Sequence, residues 1–138
     1  MTMPSLKNIV TIFSYHLYAQ RGRGSMHWIC DSLRKAGWQV RFITCDFSLI
    51  TRFKGDRRTE FGKIEGINQL QKIDDTLSVG VIFTPWHPVG RASSFVGRLA
   101  NFATAFYPWP QIDTVKKFAT GTDLVIIESC GGLMMLDH

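Results

Sequence analysis

The chain has 138 residues, 45% of them hydrophobic and 20% charged, a globular rather than disordered balance that suits one domain around a single core. The 16 Lys and Arg against 11 Asp and Glu leave a charge of +5, which predicts an anionic partner: a nucleotide, a lipid diphosphate, a membrane surface or a nucleic acid. No stretch reaches the about 20 apolar residues of a membrane-crossing helix, and the amino-terminal MTMPSLK lacks the apolar run of a signal peptide.

Residues 8–14 (NIVTIFS) are apolar and β-branched with no helical period, which predicts a buried strand. The loop after it, residues 15–24, gathers Arg21, Gly22, Arg23 and Gly24 and delivers them to a helix capped by Ser25. Met26, Ile29, Cys30, Leu33 and Gly37 share one face of that helix, leaving His27, Asp31, Arg34 and Lys35 on the outer face, with Gly37 as its stop. Residues 38–44 (WQVRFIT) read as a second strand, so the first third of the chain is a βαβ unit. A short helix is expected over residues 47–53 and a basic surface loop after it.

Residues 68–73 and 78–84 read as two strands joined by a hairpin-like turn at Asp74-Asp75-Thr76, and TPWHP (84–88) breaks regular structure. Residues 94–107 form an amphipathic helix with Phe95, Leu99, Phe102, Ala103 and Phe106 on one face, ended by Pro108-Trp109-Pro110. Its spacing favours packing on the sheet; its aromatic and basic content, with Arg91 and Arg98, also suits a membrane interface. Another helix is predicted over 111–119, with Ile112, Val115 and Phe118 inward. TDLVIIE (122–128) reads as a buried strand, and residues 133–136 as the start of a further helix, so the chain reads as the amino-terminal part of a longer protein. The whole is an α/β domain with a mostly parallel sheet and helices on both faces, a Rossmann-like three-layer domain.

Several residues carry candidate chemistry. Gly22-Arg-Gly24 starts like a dinucleotide fingerprint, but the third glycine would fall on His27 and no acidic residue ends the second strand cleanly, Asp46 coming nearest; a Rossmann dehydrogenase is disfavoured. Arg21, Arg23 and the amides at Gly24-Ser25 suit a phosphate, and spacing alone reads equally as a solvated basic loop. His16 follows the first strand and on spacing alone is an ordinary loop histidine; His27 and Asp31 read as a surface pair, and His87 as structural. Glu128 ends a strand before a turn, where α/β folds place functional carboxylates, whereas Asp123 reads as a cap or surface charge. Cys30, Cys45 and Cys130 have no C-x-x-C spacing and read as reduced core thiols of a cytosolic protein; no metal-ligand spacing occurs.

The segments GSMHWICDSL (24–33), FSLITRFKGDRR (47–58) with its Lys54-Gly55-Asp56 triplet, His87-Pro88 and DLVIIES (123–129) resemble, in order and along nearly the whole chain, the amino-terminal domain of GT-B glycosyltransferases. Within that group they are similar to the membrane-associated glucuronosyltransferase of xanthan assembly and its relatives. The resemblance implies an inverting, metal-independent and cofactor-free transferase acting in exopolysaccharide synthesis. It implies an acceptor domain for an oligosaccharide on a polyprenyl diphosphate, a nucleotide-sugar donor held by a second domain that this chain does not contain, and no action on nucleic acid. The implied location is cytoplasmic, peripheral on an anionic inner membrane face. The implied acceptor-side residues are His16, Arg21, Arg23, Ser25, Lys54, Arg57 and Glu128, the cations facing diphosphate and His16 with Glu128 facing sugar hydroxyls. The family's catalytic aspartate lies past the strand that ends at Glu128, so no catalytic base is assigned. The reading from another class is a non-catalytic α/β domain binding an anion or nucleic acid; its basic residues form no aromatic-interleaved stripe.

Overall fold

The computed structural model describes residues 8–19, 23–49, 66–86, 95–106 and 109–128. The elements in chain order are β1 (Ile9–Ser14), α1 (Ser25–Lys35), β2 (Gln39–Ser48), β3 (Gln71–Lys72), β4 (Leu77–Thr84), α2 (Phe95–Phe106), α3 (Trp109–Ala119) and β5 (Leu124–Ile127). The strands form one sheet in the order β3-β4-β2-β1-β5, parallel except for the antiparallel pairing of β3 with β4. This is the Rossmann-like α/β arrangement of one half of a GT-B fold.

Strand alternation divides the core. Val10, Ile12, Val40, Phe42 and Leu77 point to the face covered by α1, where they meet Cys30, Met26, Ile29 and Leu33. Phe13, Ile43, Cys45 and Ile82 point the other way and pack on Val115 and Phe118 of α3. Gly80 is the close-approach point of that second layer: a Cβ there would stand 2.9 Å from the Phe118 ring and 3.1 Å from the Gln69 carbonyl. Gly37, at φ +89°, terminates α1 in the left-handed region, as its place after the last turn predicts.

The chain departs from expectation at four places. β2 runs on to Ser48, so Phe47 and Ser48 are strand and the expected helix begins only at Leu49, which is helical; residues 50–53 lie outside the described residues. The cause is a bulge: the pairing with β4 shifts register between Thr44 and Phe47, with Asp46 at φ 60°, and resumes as Phe47↔Phe83 and Ser48↔Thr84. The strand expected over 68–73 shrinks to Gln71 and Lys72, an exposed edge pair beside the predicted turn. α3 begins at Trp109, directly within the proline-rich segment expected to be a break, since proline is tolerated in a first helical turn. β5 is an edge strand, with Leu124, Val125 and Ile127 each at least 40% exposed, and not the buried strand its apolar run suggests.

The amphipathic helix α2 also differs from the packing its spacing favours. Gly97 and Ala100 are its buried residues, while Phe95, Leu99, Phe102 and Phe106 are 79%, 55%, 61% and 62% exposed. The aromatic stripe therefore faces outward, with the Phe102 and Phe106 rings 4.4 Å apart between centroids. Among the described residues no helix is long and apolar enough to cross a membrane.

Candidate functional site

The sheet order reverses between β1 and β5: the chain proceeds from β1 outward through β2 and β4, then returns to place β5 on the other side of β1. In open parallel sheets the carboxyl ends at such a switch point form a crevice where ligands bind. Ser14 ends β1 there and Glu128 follows β5, its backbone N–H donating to the Phe13 carbonyl at 2.9 Å.

Alternation puts Ser14 on the α1 face with Val10 and Ile12, and the parallel register brings Glu128 beside it. The Ser14 hydroxyl, fully buried, donates to Glu128 Oε2 at 2.5 Å and accepts the His16 backbone N–H at 3.1 Å. His16 Nε2 stands 3.7 Å from Glu128 Oε1, so the carboxylate is held on one oxygen and faces the imidazole with the other. Thr44 Oγ1, at the end of the β1–β2 pairing, donates to the His16 carbonyl at 2.9 Å and fixes the same residue from β2. His16 and Glu128 are both partly exposed, which leaves the pair accessible to a ligand.

The start of α1 forms the opposite wall. Its N-cap is Gly24, in extended conformation, so Ser25 is the first helical residue, is exposed and does not cap the helix as expected. A Cβ on Gly24 would lie 3.3 Å from the His16 ring, so glycine is what lets the imidazole lie against the helix entrance. Arg23 turns away from this crevice: its guanidinium pairs with Asp31 at 2.7 Å and lies 5.8 Å over the Trp28 ring on the outer face of α1. Arg21, Lys54 and Arg57 lie outside the described residues.

His27 corrects the sequence reading most sharply. It is not on the outer face but fully buried, its ring 5.1 Å from Phe42 and 5.9 Å from Tyr18 between centroids. Its Nδ1 accepts the Gly24 N–H at 3.1 Å, so Nε2 carries the proton of the neutral ring and donates to the Leu17 carbonyl at 3.1 Å. The residue that breaks the dinucleotide fingerprint thus fills the space a third glycine would leave between helix and sheet.

Burial pushes the thiol of Cys30, on the inner face of α1, up to about 12, which makes it an inert core residue as expected; Cys45 is likewise a buried thiol. Cys130 lies outside the described residues. Asp123, read as a cap or surface charge, is exposed and accepts the Ile9 N–H at 2.8 Å, tying the start of β5 to β1. Among the described residues no group of three or more His, Cys, Asp or Glu is placed to hold a metal ion.

Ser14, Thr44 and His27 are the site residues that motif reasoning passes over. The first two were legible in principle as hydroxyls on the α1 face at the carboxyl ends of adjacent strands.

The chain matches the family described as glucuronosyltransferase GumK, N-terminal domain, over residues 12–138. Among curated proteins none matches it in sequence. The match runs from within β1 through β5 and takes in the Ser14, His16 and Glu128 crevice as well as the Gly24–His27 helix entrance. The chain belongs to the GumK glucuronosyltransferase N-terminal domain family.

Proposed function

We propose that this chain is the acceptor-side domain of an inverting glucuronosyltransferase that works on a lipid-linked oligosaccharide in exopolysaccharide synthesis. The observation that carries the reading is the meeting of His16 and Glu128 at the carboxyl ends of β1 and β5, in a chain of this family. A carboxylate fixed by Ser14 and an imidazole beside it offer an acceptor and a switchable donor or acceptor, the pairing that sugar hydroxyls need.

The diphosphate of the lipid carrier falls to cations. Arg21, Lys54 and Arg57 are assigned that role with the amide at Ser25, the Gly24 N–H being taken by His27, supported by the excess of basic residues and the general anion affinity of helix starts. Arg23 joins them only if it leaves Asp31. The nucleotide sugar is held by a second domain. A base takes the proton of the acceptor hydroxyl, whose oxygen bonds to the anomeric carbon from the face opposite the leaving group, and the nucleoside diphosphate departs with the electrons of the broken C–O bond. No residue of this chain is assigned as that base.

The exposed aromatic stripe of α2 supports a peripheral place on an anionic membrane, where the acceptor's lipid resides. The test is calorimetric binding of a short-chain prenyl diphosphate bearing a disaccharide. Replacing Arg21 and Arg23 by Ala together is expected to weaken binding and flatten its salt dependence, and unchanged binding rejects the assignment. A non-catalytic anion-binding domain predicts instead that inorganic pyrophosphate binds as tightly as the glycosylated probe.

A further inference from the structure

His27 has more structure around it than helix packing requires. It sits in the first turn of α1, fully buried, and each ring nitrogen has one backbone partner on a different part of the β1–α1 loop. Nδ1 takes the Gly24 N–H at the end of that loop, and Nε2–H reaches the Leu17 carbonyl near its beginning. The ring of His16, the residue before Leu17, lies against Gly24 and 6.2 Å, centroid to centroid, from the His27 ring.

We propose that His27 is a positioning residue for the crevice, its imidazole clasping both ends of the β1–α1 loop so that His16 stands beside Glu128. A ring with the proton on Nε2 fits both partners, because one nitrogen meets a donor and the other an acceptor. The opposite tautomer would set two N–H groups against each other at Gly24 and two acceptors at Leu17. Leu17 is held a second time by its own side chain, which packs with Phe47 and Val81, so the clasp governs the Gly24 side and the His16 ring more than the strand end. No other residue type offers donor and acceptor at these two separations on so rigid a plane: Asn reproduces the Nδ1 position alone, Gln the Nε2 position alone, and Phe the volume with neither bond.

That difference defines the experiment, on the full chain. In the wild type, two-bond nitrogen–proton spectra of labelled histidine are expected to show His27 with Nδ1 unprotonated and Nε2 protonated. In His27→Phe the Gly24 amide should exchange about fivefold faster or more, the loss expected from one hydrogen bond of about 1 kcal/mol. Contacts between the His16 ring and Gly24 should disappear while β1, β2 and β4 amides keep their protection. His27→Asn should regain Gly24 protection and His27→Gln should not.

Affinity for the glycosylated prenyl diphosphate probe should fall about tenfold in His27→Phe and recover in part in His27→Asn. A protonated Nδ1 in the wild type overturns the proposal, as do unchanged Gly24 exchange and His16 contacts in His27→Phe. If His27→Phe does not fold, equal Gly24 protection in the Asn and Gln variants overturns it. The proposal rests on the acceptor reading only in its affinity arm: a wild-type chain that does not bind the probe counts against that reading, while exchange and ring contacts still decide the role of His27.

Discussion

α1 and α2 are amphipathic helices of 11 and 12 residues, and only one of them spends its apolar face on the core. Met26, Ile29, Cys30 and Leu33 of α1 meet Val10, Ile12, Val40 and Phe42 across a covered sheet face. Phe95, Leu99, Phe102 and Phe106 of α2 keep more than half of their surface in solvent. A 3.6-residue period says which side chains share a face; what lies opposite depends on where the connections deliver the helix. α1 runs into β2 directly through residues 36–38 and lies on the β1–β2 pair, whereas the buried positions among the described residues of α2, Gly97 and Ala100, are too small to bury a stripe.

Substitutions test that contrast directly. Phe42→Ala removes a fully buried ring and should cost about 3–5 kcal/mol in urea unfolding, a large share of the about 5–15 kcal/mol that holds an ordinary domain folded. Gly80→Ala comes next, at about 1–3 kcal/mol, because its Cβ meets the Phe118 ring and the Gln69 carbonyl and the second layer must move outward. Phe102→Ala should fall within about 0.5 kcal/mol of wild type by the same measurement. A loss at Phe102 as large as at Phe42 would mean that the α2 stripe is core after all. The same stripe should matter elsewhere: replacing Phe102 and Phe106 by Ser is expected to reduce pelleting with anionic vesicles, and unchanged pelleting would remove α2 from the membrane reading.

A smaller effect separates the two ends of the sheet in acid. At the amino-terminal end of β4, hydrogen bonds from the Thr76 N–H and hydroxyl, with the Arg34 guanidinium, hold the Asp74 carboxyl below its ordinary 3.8. A depressed value in the folded state gives stability that is present above about pH 3.8 and is lost as pH falls through the lower folded value. Asp74→Asn should therefore remove that contribution, lowering stability slightly at neutral pH, leaving it nearly unchanged in strong acid, and so flattening the acid limb of the unfolding curve. An unaltered acid limb would show that the turn does not hold its carboxylate in solution.

The parts of this fold legible in the sequence are those where one rule acts alone. β1 and α1 carry uninterrupted apolar patterns between clear punctuation, and their places follow. β2 escapes past Thr44 because the bulge at Asp46 adds a residue and resets the alternation, so the expected helix takes in two residues that are strand before helix appears at Leu49. β5 misleads for a different reason: four consecutive apolar residues satisfy a buried strand and an uncovered edge equally well, and only the neighbouring strands decide.

Within the site, Glu128 was visible as a carboxylate at a strand's end and His16 only through the family resemblance. Ser14, which joins them, is an unremarked strand residue. His27 was placed outside because its polarity suggested solvent, although it stands three residues before Cys30 on the flank of the buried stripe. A buried polar ring needs two exact partners, and those come from Gly24 and Leu17, residues whose contribution is backbone and carries no mark in the sequence.

The central claim is that the crevice at the carboxyl ends of β1 and β5 receives the acceptor. Amide chemical-shift mapping with the glycosylated short-chain prenyl diphosphate tests it most directly. The account predicts shifts concentrated at Ser14 to Leu17, at Gly24 to His27 and at Glu128, with the shifts at Ser14 and His16 lost in Glu128→Gln. Shifts confined to other surfaces, or a Glu128→Gln map identical to that of the wild type, would contradict it.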